Sequence, residues 1–234
     1  MTAKEFIETL SLFKNEKELD KVEKFFKGND GITKSFGVKF GDIFTIAKEF
    51  SAMPLDEINK LLDSEFYEVR MGAVSIMDFQ ARSKKTTDDQ KKDLFDLYLN
   101  RHDRLNNWDF VDRAACYIIG EYLIDKPRDI LYQLAHSESP WERRTAIVST
   151  HAFIRKNEVG DTFDIAEILI HDTHELVNKA VGSWVREAGK KDEKKLSDFL
   201  DAYVKTMPAV TFSYATEKLD AESKLYYKEL RKAK

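Results

Sequence analysis

The chain has 234 residues, of which 42% are hydrophobic and 34% charged, and its formal net charge is −4 at pH 7. This composition is typical of a soluble globular protein, and the acidic balance excludes a general attraction to nucleic acid while leaving room for a local basic face. The N-terminus has no apolar run long enough for a signal peptide or a membrane span, and the single cysteine, Cys116, cannot form an internal disulfide, so we expect a cytoplasmic protein.

Helical periodicity, capping residues and a low content of glycine and proline predict an all-α chain with short connections. Residues 1–50 are predicted to form an N-terminal helical cap, with a break at residues 28–31. In chain order, the predicted helices cover residues 2–13, 15–27, 43–50, 55–62, 64–77, 86–99, 107–123, 128–136, 139–150, 161–171, 173–189, 192–206, 208–219 and 220–234.

The helices recur in pairs. Their second members align on Ala73, Ala115, Ala146 and Ala180, at intervals of 42, 31 and 34 residues. An unequal period of this size, built from helix pairs, predicts a HEAT-like solenoid, an α-α superhelix in which the starts of the second helices line a concave surface. We expect residues 1–234 to form one such domain.

The start of the helix at residues 107–123 carries the most suggestive pair of side chains. Asn107 is predicted to be the N-cap and Asp109 to lie in the first turn, so Trp108 and Asp112 are stacked four residues apart on one face. Asp112 falls at the edge of an apolar arc, and a carboxylate beside an indole is partly desolvated. Two interpretations are a salt bridge to a neighbouring helix and a carboxylate beside an aromatic wall, ready for a cationic ligand. The arc comprises Phe110, Val111, Ala114, Ala115, Ile118 and Tyr122.

Basic side chains recur in a related register. Arg70, Asp112 and Arg143 each lie three residues before the aligned alanine of their own helix. Trp141 and Arg144 share one stripe of their helix. The planar fork of arginine suits phosphate because it donates two parallel hydrogen bonds. The alternative for each is a solvated helix face. Later helices add Lys179, Arg186, Lys190 and Lys191.

Over nearly its whole length the chain resembles the AlkD-type alkylpurine DNA glycosylases, HEAT-like repeat proteins of the DNA alkylation repair family. The resemblance rests on residues 36–39, 107–112, 141–149 and 179–192. It implies a concave basic surface that holds duplex DNA, and excision of cationic N3- and N7-alkylated purines without a metal, another cofactor or a deep base pocket. It also implies that Asp112 and Trp108 are catalytic and that Arg144 binds DNA. We further expect a bacterial cytoplasmic monomer that is associated with the nucleoid when it is bound to DNA.

The fourth motif departs from the family pattern. The family usually has Gly-Trp there, whereas Gly182 is followed by Ser183, with Trp184 one residue late. At about 100° per residue, Ser183 shares a face with the basic side chains, and Trp184 falls on a core stripe. The site is therefore predicted to keep one aromatic wall and to lack the second. The predicted substrate and DNA contacts are Arg144, Trp141, Arg143, Ser183, Trp184, Lys179, Arg186 and Arg70.

Three alternatives remain open at this point. The chain is a DNA glycosylase, a non-catalytic DNA-binding paralogue that reads duplex shape through backbone contacts, or a helical protein-binding solenoid. Ser183 favours the second, and the intact Trp108 and Asp112 pair favours the first. His171 and His174 also form a loose pair with metal-ligand spacing.

Overall fold

The computed structural model describes residues 1–27 and 30–233, without the side chain of Glu23. The all-α prediction is confirmed, because β-pairing in this part of the chain is limited to an isolated bridge between Lys34 and Phe66. No helix in these residues is long and apolar enough to cross a membrane. Residues 28 and 29 of the predicted break, and the predicted helical residue 234, lie outside the described residues.

The helix bounds mostly agree with the predicted ones to within a few residues. The predicted helix at 107–123 is an α-helix that continues through a wider π turn at Cys116–Gly120. The helices are α1 (Ala3–Ser11), α2 (Glu16–Phe25), α3 (Phe40–Glu49), α4 (Leu55–Leu62), α5 (Tyr67–Ala81), α6 (Asp88–Asn100), α7 (Trp108–Ala115), α8 (Asp129–Ala135), α9 (Pro140–Ser149), α10 (His151–Ile154), α11 (Gly160–Leu169), α12 (Glu175–Gly189), α13 (Glu193–Tyr203), α14 (Ala209–Ala215) and α15 (Ala221–Lys232).

The chain folds into two compact units, residues 1–122 and 123–234. In the first unit α3, α4 and α7 pack on α5, and α1 packs on α3 and α4. In the second unit α8 packs on α9, and α12 packs on α9, α11, α13 and α14. That the whole chain is one HEAT-like domain with residues 1–50 as its cap stays a prediction.

The alanine register that defines the repeats is confirmed as a core register. Ala73 and Ala115 have no exposed surface in the first unit, and Ala146 and Ala180 are buried in the second. The glycine two residues after Ala180 has a packing reason: a Cβ on Gly182 would lie 2.6 Å from the carbonyl oxygen of Thr211 in α14. Helices α12 and α14 therefore approach closely at the fourth motif.

The motif at residues 36–39 owes its form to a buried carboxylate. Glu68, in the first turn of α5, has no exposed surface. It accepts hydrogen bonds from the Ser35 hydroxyl and from the backbone N–H groups of Phe36 (3.0 Å), Gly37 (2.8 Å) and Val38 (3.3 Å). These donors converge because Gly37 has a φ of 74°, a left-handed conformation that glycine adopts without strain. The segment before α3 is therefore fixed to the start of α5.

We expect Glu68→Gln to lower the free energy of unfolding by at least about 2 kcal/mol, because an amide nitrogen cannot accept from the converging N–H groups. Urea denaturation measures the change. Glu65→Gln is the matched control, since Glu65 is about half exposed and pairs with exposed Lys34, and it should change stability by less than about 1 kcal/mol. Equal effects of the two substitutions would contradict this role of Glu68.

Candidate functional site

Helix α7 presents Trp108 and Asp112 on its uncovered side. Asp112 is exposed and Trp108 is half-buried, whereas the intervening Phe110 and Val111 have no exposed surface. Five of the six residues of the predicted apolar arc are buried, Tyr122 is half-buried, and the Asp112 carboxylate lies outside the arc. Asp112 is more exposed than the prediction of a partly desolvated carboxylate at the rim of the core implied.

Trp108 is held by the end of α2. Its indole Nε1 donates to the Phe25 carbonyl oxygen (3.1 Å), and the two rings stack with centroids 6.1 Å apart and an angle of 29° between their planes. Phe40 meets the Phe25 ring edge-on at 5.6 Å. Phe25 remains 43% exposed, so Phe25 and Trp108 form an aromatic ledge. Sequence periodicity missed Phe25, because it treats this position as an ordinary apolar position of α2.

Asn107 begins α7 without the predicted side-chain cap. Its side chain, which has no exposed surface, instead accepts from the backbone N–H of Lys27 (2.8 Å) and donates to the Phe25 carbonyl (3.3 Å) and to Asp109 (2.6 Å). Asn107 is therefore the N-cap residue of α7 by position, as predicted, but it makes no capping hydrogen bond, because these other partners take its side-chain amide. The residue joins α2 to α7.

Asp109 is the desolvated carboxylate of this region. Burial raises its pKa to about 6, and this effect outweighs the hydrogen bonds donated by the Tyr67 hydroxyl, by Asn107 and by the Phe110 N–H (2.9 Å). Tyr67 has no exposed surface, and burial together with Asp109 raises its own pKa. Asp109 and Asp112 thus lie three residues apart in opposite environments.

In the second unit, the fourth motif places Ser183 and Trp184 in half-buried positions on α12. Trp184 stacks on His151, with ring centroids 4.6 Å apart and an interplanar angle of 28°. Its predicted stripe neighbours Val177 and Val181 have no exposed surface. Trp184 is therefore core only in part, and it keeps an exposed edge.

The model of the family described as DNA alkylation repair enzymes matches residues 6–219. The chain belongs to this family. Among solved structures it is similar to a predicted DNA alkylation repair enzyme from Enterococcus faecalis, with 14% identity and a TM-score of 0.68 over 89% of this chain and 97% of that one. At this identity the similarity shows a shared fold. No curated protein sequence matches the chain. The predicted resemblance is thus confirmed at the level of the family.

Arg70 does not have the surface position expected of a DNA contact in this family. It has no exposed surface, and its guanidinium donates to Thr33 (2.5 Å) and to Asn106 (2.8 Å). Burial lowers its pKa to about 10. The register places Arg70 correctly on α5 but does not show that Thr33 and Asn106, from distant segments, bind its guanidinium. A side chain with no exposed surface cannot reach a phosphate, so we remove Arg70 from the predicted contacts.

Three further predicted contacts on α9 are also taken up internally. Arg143 forms a two-pronged ion pair with Asp172 (2.5 and 3.0 Å) and donates to the carbonyls of residues 137 and 138. Arg144 is 7% exposed and donates to the Leu176 carbonyl. Trp141 is 8% exposed and meets the His174 ring edge-on at 5.2 Å. We therefore assign these three side chains to contacts between α9 and residues 172–176, where α12 begins, and remove them from the proposed phosphate contacts.

Lys179 and Arg186 are partly exposed, at 34% and 18% of their side-chain surface, and both form ion pairs. Lys179 pairs with Glu175 (2.6 Å), and Arg186 pairs with Glu187 (3.0 Å) and Glu217. Solvent-exposed pairs contribute about 0–1 kcal/mol each, so a phosphate can replace the carboxylate at little cost. Lys179 and Arg186 stay predicted DNA contacts.

The two histidines that have metal-ligand spacing in the sequence differ in exposure. His171 is exposed, whereas His174 is half-buried, and burial is the main cause that lowers the pKa of His174. Within the described residues, no group of three or more His, Cys, Asp or Glu side chains is arranged to hold a metal ion.

Asp109 should make stability depend on pH. Its pKa is higher in the folded protein than the ordinary value of 3.8, so its contribution is greatest below about pH 4 and is lost as the pH rises through about 6. At about 1.4 kcal/mol per pKa unit, we expect the stability of the native protein relative to Asp109→Asn to fall by on the order of 2–3 kcal/mol between pH 4 and pH 7. Urea denaturation at several pH values measures it, and parallel pH profiles of the two proteins would contradict the assignment.

Proposed function

We propose that this protein is a DNA glycosylase that excises cationic N3- and N7-alkylated purines from duplex DNA. The observation that supports this most directly is the exposed Asp112 carboxylate on the same face of α7 as Trp108, with Phe25 extending the aromatic surface. Family membership supports a role in DNA alkylation repair. The alkylated bases, the glycosylase chemistry and the site residues belong to our proposal.

The proposed reaction needs little from the protein because the alkylated base already carries a positive charge. The electron pair of the C1′–N bond moves onto the purine, which leaves as a neutral base, and the sugar becomes an oxocarbenium ion. Asp112 stabilises this cation and orients a water molecule whose oxygen bonds to C1′. The released proton passes to the carboxylate or to solvent. Electrostatic groups placed in this way commonly account for a large share of catalysis.

Phe25 and Trp108 supply the apolar part of the proposed site. A cation near an aromatic face is attracted by about 0.5–1 kcal/mol at an exposed site, and more when water is excluded. The Trp108 Nε1 is already bonded to the Phe25 carbonyl, so its ring orientation is fixed before DNA binds. Phe25 thereby offers a second aromatic surface in a protein that has Ser183 in place of the family's usual tryptophan.

Proposed DNA contacts in the second unit are the surface side chains of α12. Lys179, Arg186 and Ser183 are at least partly exposed there, and Trp184 keeps an exposed edge beside His151. Because Lys179 and Arg186 exchange carboxylates for phosphates, binding should weaken as salt rises.

A non-catalytic DNA-binding protein is the second candidate, and Ser183 at the usual tryptophan position favours it. The two functions differ in one measurement: the paralogue binds duplex DNA containing 7-methylguanine but releases no base from it.

We expect Asp112→Asn to reduce release of 7-methylguanine from duplex DNA by roughly 10²–10³-fold while leaving DNA affinity within a few fold. The loss follows from removing the charge that stabilises the oxocarbenium ion. Single-turnover release and fluorescence anisotropy measure the two quantities. Asp103→Asn, at another exposed carboxylate of the first unit, should release base at the native rate. Native-like release by Asp112→Asn would reject the proposed role, and absence of release by the native protein would favour the second candidate.

We expect Phe25→Leu to slow release of 7-methylguanine by between about two- and tenfold, because it removes the ring that extends the Trp108 surface. Phe13→Leu is the matched control, since Phe13 is 45% exposed and Phe25 is 43% exposed. Equal single-turnover rates for the two variants would show that Phe25 does not contribute to the site.

A further inference from the structure

We propose that Arg82 and Arg113, held by the buried carboxylate of Asp78, form a binding site for a DNA backbone phosphate next to Asp112 along the chain. This inference rests on the proposed DNA-binding function, and it adds a contact in the first unit that neither the sequence motifs nor the helical register indicated.

The two arginines share one acidic partner. Arg113 Nη2 lies 3.1 Å from Asp78 Oδ2, and Arg82 Nη1 lies 3.2 Å from the same oxygen. Asp78 has no exposed surface. Two guanidinium groups and one carboxylate leave one positive charge in excess, and because the carboxylate is buried, this charge faces solvent through the arginines.

Aromatic rings fix the orientation of both guanidinium groups. Arg113 lies between Phe44 and Phe79, at 4.6 and 4.9 Å from the ring centroids, and Arg82 lies over Tyr117 at 4.3 Å. An arginine that is already oriented loses less side-chain entropy when it binds an anion. This arrangement differs from that of a surface lysine, whose charge is mobile.

The arginines also remain accessible. The Arg82 side chain is 44% exposed, and the Arg113 side chain is 20% exposed although its Nε and Nη2 atoms are buried. Burial lowers the pKa of Arg113, although Asp78 opposes this effect. A phosphate above the pair would therefore gain from the excess positive charge, and the aromatic rings would exclude water from one side of the contact.

Arg113 lies close to the proposed catalytic residues along the chain. Asp112 and Arg113 are adjacent in α7, and Tyr117 follows Arg113 by one turn. Trp108, Asp112, Arg113 and Tyr117 are all at least partly exposed, whereas Ala114 and Ala115 between them are buried. Arg113 lies about 100° around the helix from Asp112, so a duplex that brings a base to Trp108 and Asp112 would reach Arg113 and Arg82 with a neighbouring part of its backbone.

The alternative is that Arg82 only complements the C-terminal end of α5, where a positive charge is favourable. The two explanations predict different effects on DNA. A residue that stabilises the helix end changes the unfolding free energy and leaves the salt dependence of DNA binding unchanged, whereas a phosphate contact adds about 0.9 to the magnitude of the slope of log K against log salt concentration.

The test measures binding of undamaged duplex DNA to the full chain by fluorescence anisotropy between 50 and 200 mM salt. Arg82→Gln should lower the magnitude of the slope by about 0.9 and weaken binding at 0.1 M salt by roughly five- to tenfold. Arg113→Gln should act in the same direction. Lys84→Gln is the matched control, because Lys84 is exposed just two residues after Arg82, and it should keep the native slope.

Asp78→Asn should change DNA binding in the direction opposite to Arg82→Gln. It removes the shared negative charge, so it should strengthen DNA binding and steepen the slope relative to the native protein. Circular dichroism melting confirms that each variant is folded, and Arg82→Gln, at the more exposed position, decides the question if Arg113→Gln does not fold. Native slopes for Arg82→Gln with intact native binding would overturn the phosphate site alone, whereas a native protein that binds no duplex would overturn the proposed function and this inference together.

Discussion

The arrangement around the start of α7 depends on a carboxylate that has been taken out of water. Asp109 accepts hydrogen bonds from Tyr67, Asn107 and the Phe110 N–H, and these donors offset part of its desolvation. The same network reaches α2, since Asn107 bonds to the backbone on both sides of residue 26. Asp109 and Asn107 together therefore fix the end of α2 against the start of α7, where Phe25 meets Trp108.

The two aspartates of α7 have different roles: Asp109 is structural, and Asp112 is the proposed catalytic group. Asp109 faces α5 and is satisfied by protein donors, whereas Asp112 faces solvent. An exposed carboxylate interacts weakly with other charges because water screens it, at about 1 kcal/mol for a pair 4 Å apart. In the proposed reaction the bound duplex reduces this screening, because it covers Asp112 and excludes water. The interaction of Asp112 with the developing cation therefore becomes stronger. Such a site has no need of a deep base pocket.

The sequence predicted those features that depend on near neighbours. The alanine register and most of the apolar arc of α7 are set within a few residues. The partners of Asn107 lie about 80 residues earlier in the chain, so the local pattern could only suggest a cap. Periodicity likewise identifies the side of a helix on which Arg70 or Arg143 lies but not the segment that covers it. The burial of these arginines is therefore a tertiary result.

The charge distribution of this chain differs from that of a strongly basic DNA-binding protein. Its net charge is −4, and the surface cations Lys179, Lys190 and Arg186 each contact a carboxylate. A phosphate that binds to one of these cations displaces its carboxylate partner as well as counterions. The net attraction for the phosphate is therefore reduced by the loss of the ion pair. Binding to undamaged duplex should consequently be weak and salt-sensitive. Selectivity for a damaged base would then come from what a cationic purine adds at the aromatic ledge and Asp112, where neutral bases gain neither the cation–π nor the charge–charge attraction.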